Sequence, residues 1–479
     1  MATATTLKPS KLRIRAYQVG FGDCFLLTFF YPQAKKLADK ERHVLIDFGS
    51  TGMPKGTSSS EQMMKVAKDI EEQCNKKSKK LHVVVATHRH KDHISGFSTT
   101  KDGKGTGDII ASLEPSIVIQ PWTEEPEAQD PELPTKSKKG AKGAKNLAAE
   151  DGLAEPQSLN ALHIASLNNM HQISESMLAE IKHLTDEGKF KKQLDKSVTD
   201  QIIFLANDNG LPNKSAVENL AGMAKNHYVH HGYPLNLSKL LPGVKVQVLG
   251  PPTLEQHAEI LKEKSTDKDE FWMLQAAAQG FWGLQAATGG LVQEFAASES
   301  RLFPDAKIVR SFPSHDRWFI RQLRAMRGSQ MLGLVRILDK AMNNTSVILL
   351  FEVGGKKLLF PGDAQIENWE YALKRDKKAD LQILKGVNLY KVGHHGSRNA
   401  TPKTLWENFE NKSREEGKTQ RLKTVVSTMP GKHGHKESHT EVPRKTLVNA
   451  LSAFSEYHTT EDAAAHGDLY VDVEITFTR

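Results

Sequence analysis

One short stretch constrains this chain more than any other: Thr87-His88-Arg89-His90-Lys91-Asp92-His93. It follows directly on an apolar run, Leu81 to Ala86, that reads as a strand. Imidazoles and a carboxylate in a loop at a strand end can converge on one cavity. His88 and His90, two positions apart, can face the same way and share one ion. Asp92 and His93 then reach a second ion beside it. Neutral imidazole and carboxylate, with no thiolate, suit zinc, manganese or iron. A water held between two such ions is a nucleophile at neutral pH, because its pKa falls from 15.7 to about 7. A merely solvated His-rich turn would not need so demanding a spacing.

A dinuclear site also needs a bridging carboxylate and at least one more imidazole. The second half offers both after strands. Thr345 to Val353 reads as a strand, Gly354-Gly355 as a tight hairpin turn and Lys356 to Phe360 as its partner, with Asp363 just beyond. Gln382 to Val392 leads into Gly393-His394-His395-Gly396-Ser397. Asp363 is the candidate bridge, and His394 or His395 the candidate last ligand; spacing does not choose between them.

The rest of the chain supplies a β-rich frame with helices laid over it, an α/β (α+β) class. Leu12, Ile14 and Ala16 alternate with basic residues; a turn at Gly20-Phe21-Gly22-Asp23 precedes an apolar strand from Cys24 to Phe30. A further strand, His43 to Ile46, ends at Asp47. Ser60 to Cys74 reads as a helix with an N-cap among Ser58 to Ser60, and Leu159 to His183 also looks helical. Lys245 to Leu249, Leu422 to Ser427 and Leu469 to Thr478 read as strands. Residues 1–110 and 341–479 are expected to be the two halves of one domain, with 244–252 as a core strand. Residues 111–243 and 253–340 then form insertions, the second helical. Within the first, Pro121 to Gln157 is rich in Pro, Glu, Lys, Gly and Ala and reads as a mobile surface segment, or else as a basic arm for a polyanion. The second contains a near-repeat, Phe271 to Gly280 against Phe281 to Gly290, readable as an apolar helical hairpin, a substrate lid or a dimer contact.

At 479 residues and 38% hydrophobic, the chain can bury a sizeable core. Only Cys24 and Cys74 are present, so neither a disulfide framework nor a cysteine-built zinc site is expected. No apolar run is long enough to span a bilayer, and Met1 to Lys11 lacks the apolar core of a secretion signal; a cytoplasmic protein without membrane contact is expected. The net charge of +8 suggests a nucleic acid, but five lysines of the tract Lys136 to Lys145 account for most of it. Arg317 to Lys340 reads as a helix in which Arg321 and Arg324 lie beside Trp318 and Phe319, a mix that suits single-stranded DNA or RNA. A solvated basic face on an amphipathic helix is the plainer alternative.

Taken together, Asp47, the His88-x-His90-x-Asp92-His93 run, Asp363 and the His394-His395 pair resemble the successive motifs of the metallo-β-lactamase superfamily. Finer features are similar to the soluble domain of ComEC-type DNA-uptake competence proteins and their stand-alone relatives. These are Val19 to Cys24, Val248 to Pro251, Asn344 to Val347, Phe360 to Asp363 and Lys391 to Ser397, with His439-Thr-Glu-Val resembling a late Gly-His-Pro element. The likeness covers Leu12 to Gly96 and Val244 to the end. It implies a four-layer αββα sandwich and a dinuclear hydrolase holding two divalent ions, zinc first and manganese second. In that scheme His88 and His90 bind one ion, Asp92, His93 and His394 or His395 bind the other, and Asp363 bridges. Asp47 orients a ligand, and His439, or else His435, protonates the leaving group or holds a phosphate. Gly396 and Ser397 offer donors to an oxyanion. Many superfamily members supply a further mid-chain histidine; His227, His230 and His231 are the clustered candidates. The likeness points to a phosphodiesterase or nuclease. A small-molecule hydrolase acting on a lactone, thioester, cyclic nucleotide or phosphocholine-type ester is the alternative, as is an enzyme controlled by a protein partner or homodimer contact through its insertions, within a larger, defence-type assembly.

Overall fold

The computed structural model describes residues 7–54, 56–76, 80–125, 160, 163–164, 167, 214–257, 341–374, 379–397, 401–432 and 441–477. In chain order the first half contains β1 (Lys11–Tyr17), β2 (Cys24–Phe30), β3 (Glu41–Phe48), α1 (Ser59–Asn75) and β4 (Val83–Val85), then α2 (Lys91–Ile94), α3 (Thr106–Ser112) and β5 (Ile117–Pro121). After these come α4 (Lys214–Gly222), β6 (Lys225–Val229), β7 (Val244–Gly250), β8 (Ile348–Val353) and β9 (Lys356–Phe360). The last part holds α5 (Ile366–Lys374), α6 (Ala379–Lys385), β10 (Leu389–Lys391), α7 (Lys403–Asn408) and β11 (Lys423–Val426), followed by α8 (Lys445–Phe454), β12 (Glu456–Thr459), α9 (Thr460–His466) and β13 (Tyr470–Thr476).

The strands form two mixed sheets. The first runs β13-β1-β2-β3-β4-β5-β6, the second β12-β11-β10-β9-β8-β7. In the first, β3 to β6 pair in parallel, while β13, β1 and β2 join antiparallel. In the second, β9 to β12 are parallel and β7 and β8 antiparallel. Residue alternation decides what each face meets. Leu12, Ile14 and Ala16 of β1 join Phe25, Leu27 and Phe29 of β2 in one buried cluster, which also takes in Val246 and Val248 of β7 and Phe351 and Phe360 from the second sheet. Leu26, Leu45 and Val84 of the first sheet pack instead with Val66 and Ile70 of α1, Ile110 of α3 and Leu220 of α4. On the second sheet Leu350, Leu359 and Tyr390 pack with Trp369 of α5, Leu384 of α6 and Leu451 of α8. Each such side chain contributes about 1.5–3 kcal/mol by leaving water, so these three clusters dominate the stability of the described residues.

Several sequence expectations shift. Pro121 to Glu124, expected at the head of a mobile segment, are buried: Pro121 ends β5, and Trp122 packs on Ile164 and Leu254 while its indole N–H donates to the Pro252 carbonyl. Residues 117–121 and 225–229, expected within an insertion, are strands of the first sheet, because β5 and β6 continue its parallel ladder from β4. Thr345 and Ser346, read as the start of a strand, instead close a turn on Met342 and Asn343, and the strand begins at Ile348. Of the run that leads into His394, Gln382 to Lys385 is helix and only Leu389 to Lys391 is strand. The near-repeat 271–290, the Arg317 to Lys340 helix with Arg321 and Arg324, the lysine tract, the C-terminal histidines His435 and His439, and most of Leu159 to His183 lie outside the described residues. Among the described residues no helix is long and apolar enough to cross a membrane.

Candidate metal centre

In both sheets the parallel strands end at one edge, where the chain leaves each strand with a polar residue. β3 delivers Asp47, β4 the Thr87 to His93 loop, β9 Asp363 and β10 His394 and His395. The crevice beyond the carboxyl ends of parallel strands is where such sheets place ligands. The two edges are stitched together: the Val347 N–H donates to the Thr87 carbonyl at 2.9 Å, and the Ser427 hydroxyl to the Gly22 carbonyl at 2.6 Å. Tight approach demands glycine here. A Cβ on Gly49 would lie 2.4 Å from the His93 nitrogen, and one on Gly362 2.7 Å from the Thr87 Cβ.

The backbone is strained at this edge. Asp47, His394 and His395 all have positive φ, at 55°, 44° and 52°. Such conformations cost about 1–3 kcal/mol each and persist only where surrounding contacts enforce them. Those contacts are visible. Asp47 Oδ1 accepts from the Thr87 N–H and Oδ2 from the Thr87 hydroxyl, both at 2.7 Å. Asp47 Oδ2 also lies 2.8 Å from His93 Nδ1. His395 Nδ1 donates to the Ser427 carbonyl at 3.0 Å.

These outer contacts fix tautomers. With Nδ1–H of His93 directed to Asp47 and Nδ1–H of His395 directed to Ser427, each ring presents Nε2 inward. Asp92, His93, Asp363 and His395, all buried, then offer ligand atoms within 4.8 Å of one another. His395 Nε2 lies 2.9 Å from Asp92 Oδ2 and 3.7 Å from Asp363 Oδ2. His93 Nε2 lies 3.0 Å from Asp363 Oδ2 and 3.8 Å from Asp92 Oδ1. Yet Asp92 Oδ1 is buried without a hydrogen-bond partner, which is costly unless something else satisfies it. Beside this group His88 Nε2 and His90 Nδ1 face each other at 3.0 Å.

Electrostatics agree with a cation. Burial pushes Asp92 up, but His93 and His395 outweigh it and hold the carboxyl below its ordinary range. Asp363 is likewise depressed, with burial opposed by His93, Lys391 and His395. Burial alone would lower His93 and His395; the surrounding carboxylates, Asp363 foremost, raise both. Carboxylates that favour a proton on Nε2 favour a divalent ion in its place. His88 is pushed well down, by burial first and by His93 and His90 next, so it is a neutral imidazole. Oxygen and imidazole donors with a buried unsatisfied oxygen fit a divalent ion such as zinc or manganese.

The structure separates the two adjacent histidines. His395 enters the ligand group, whereas the His394 imidazole pairs with the Ser397 hydroxyl at 2.8 Å and its backbone N–H donates to Asp363 Oδ1 at 2.8 Å. Ser397 is thus engaged with His394. None of the mid-chain candidates joins the group: His227 meets the Tyr233 hydroxyl, His230 Nδ1 donates to the His231 carbonyl, and His231 pairs with Asp380 at 2.8 Å. β6, which carries His227 and leads into His230 and His231, lies at the far edge of the first sheet, across β5 from the Thr87 to His93 loop. Sequence reasoning missed Asp23 and Lys391, which form a buried ion pair against Asp363. Their signals were present: a charged residue closing the apolar run Leu389-Tyr390-Lys391-Val392, and an acid directly after Gly20-Phe21-Gly22. Compared with protein-family models and with curated proteins, the chain matches none.

Proposed function

We propose that this protein is a metallohydrolase of the metallo-β-lactamase type, with two divalent ions and a phosphodiester, a nucleic acid first, as substrate. The observation that carries the reading is the convergence of Asp92 and His93 from one sheet edge with Asp363 and His395 from the other, each held by a partner behind it. The layering supports the superfamily reading: a core between two mixed sheets, and helices packed on each outer face, is what an αββα sandwich requires.

Asp92, His93, Asp363 and His395 would hold one ion, and His88 and His90, with Asp363, the other. Bound there, the ions would supply a water nucleophile at neutral pH and charge stabilisation at the attacked centre and leaving oxygen, which suits in-line displacement at phosphorus. The chain's own residues do the positioning. Asp47 and the Ser427 carbonyl keep His93 and His395 in the tautomer that leaves Nε2 free. The His394 N–H holds one oxygen of Asp363. A proton for the leaving group is assigned to His439, which lies outside the described residues.

Hydrolysis of bis-p-nitrophenyl phosphate and of labelled single-stranded DNA, each with zinc or manganese, tests the substrate. Cleavage that Asp363→Ala abolishes is expected. Full cleavage by Asp363→Ala would refute the scheme, and a metal-loaded protein inert on both substrates would redirect the search to lactones, thioesters and an activating partner.

A further inference from the structure

Lys391 ends the apolar strand β10, and its side chain is 3% exposed. Its ammonium touches Asp23 closely, the Gly362 carbonyl at 3.1 Å and Asp363 Oδ1 at 3.4 Å. Asp23 is itself buried, and with Asp47 and His93 it would otherwise make a second acidic group of metal-binding shape. The Lys391 ammonium supplies the positive charge beside Asp23.

Asp363 is divided as a result. Oδ1 accepts from the His394 N–H at 2.8 Å and faces Lys391, whereas Oδ2 faces His93 Nε2 at 3.0 Å and His395 Nε2 at 3.7 Å. The final torsion of an aspartate side chain is soft, so a single donor, the His394 N–H, leaves the carboxylate free to pivot about Oδ1, and the Lys391 ammonium is the second donor that fixes which oxygen faces inward. We propose that Lys391, charge-balanced by Asp23, is a positioning residue that holds Asp363 so that only Oδ2 is offered to metal. The proposal rests on the metallohydrolase reading.

Cobalt(II) is the probe, because its visible spectrum reports coordination number independently of activity. Three proteins are compared: wild type, Lys391→Met, and Asp23→Asn combined with Lys391→Met. The single variant leaves Asp23 as an uncompensated buried carboxylate and lowers thermal stability. The double variant removes both charges and regains stability. Both variants are expected to bind cobalt about 10- to 100-fold more weakly than wild type, the usual effect of losing an outer partner, and with an altered absorption band. Wild-type affinity and spectrum in the stable double variant would overturn the proposal and leave the metal reading intact, since Lys391 would then serve only to neutralise Asp23. Failure of the wild-type protein itself to bind cobalt would overturn the metal reading, and the proposal with it.

Discussion

His395 and Asp92 stand 303 residues apart in the sequence, yet His395 Nε2 lies 2.9 Å from Asp92 Oδ2, with both side chains buried. One residue follows a strand of the second sheet, the other a strand of the first. The pair therefore exists only when both sheets are formed and packed, and it ties the candidate metal centre to the integrity of the whole fold.

The first prediction separates the neighbouring histidines. His395→Ala should lower metal affinity at least tenfold, because it removes a donor from the buried group. His394→Ala should lower it less, because the backbone N–H that holds Asp363 remains. Chelator competition measures both, and the reverse order would show that the ligand assignment is inverted.

Asp47→Asn should weaken metal binding about 10- to 100-fold without unfolding the protein. Asparagine tolerates the positive φ of 55° at this position, so the backbone is kept while the charge behind His93 is lost. Unchanged affinity with an unchanged melting temperature would mean that Asp47 serves only to anchor Thr87.

Gly49→Ala probes the approach of the two loops. The new Cβ would sit 2.4 Å from the His93 nitrogen, against backbone that cannot swing away. Overpacking of this kind costs about 1–3 kcal/mol or more, and the displaced His93 should bind metal more weakly. A melting temperature and metal content equal to wild type would contradict the packing described.

His82 gives a pH prediction remote from the metal ligands. Burial, with Arg42 and His43 adding to it, lowers this imidazole to about 3. The unfolded chain then binds more protons than the folded one between the ordinary histidine pKa of about 6.5 and that value. The contribution of His82 is fully present above about pH 6.5 and is lost as pH falls toward 3, amounting to roughly 2 kcal/mol by pH 5. Urea midpoints measured at pH 7 and pH 5 should therefore fall further in wild type than in His82→Gln; equal falls would show that His82 is not buried neutral.

Much of this was legible because strand ends carry their own signals. Asp47 stands at the end of its strand and His88, His90, Asp92 and His93 follow theirs, and apolar runs broken by His and Asp expose that arrangement without a structure. The choice of His395 over His394 was not legible, since it depends on positive φ at both residues and on the Ser427 carbonyl just past the neighbouring strand β11. Lys391 and Asp23 escaped notice because each looks like a surface charge until the two sheets pack and bring them together. β5 and β6 were lost in an expected insertion because residues 122–224 separate them, although they are adjacent in the sheet.

The central claim is that the buried carboxylates and imidazoles at the joined sheet edges hold metal. Metal content per chain, measured by inductively coupled plasma mass spectrometry on purified wild type and Asp363→Ala, tests it most directly. Two ions of zinc or manganese in wild type, with a clear loss in Asp363→Ala, is the predicted result. Background metal in a folded wild-type protein after incubation with either ion would contradict the account.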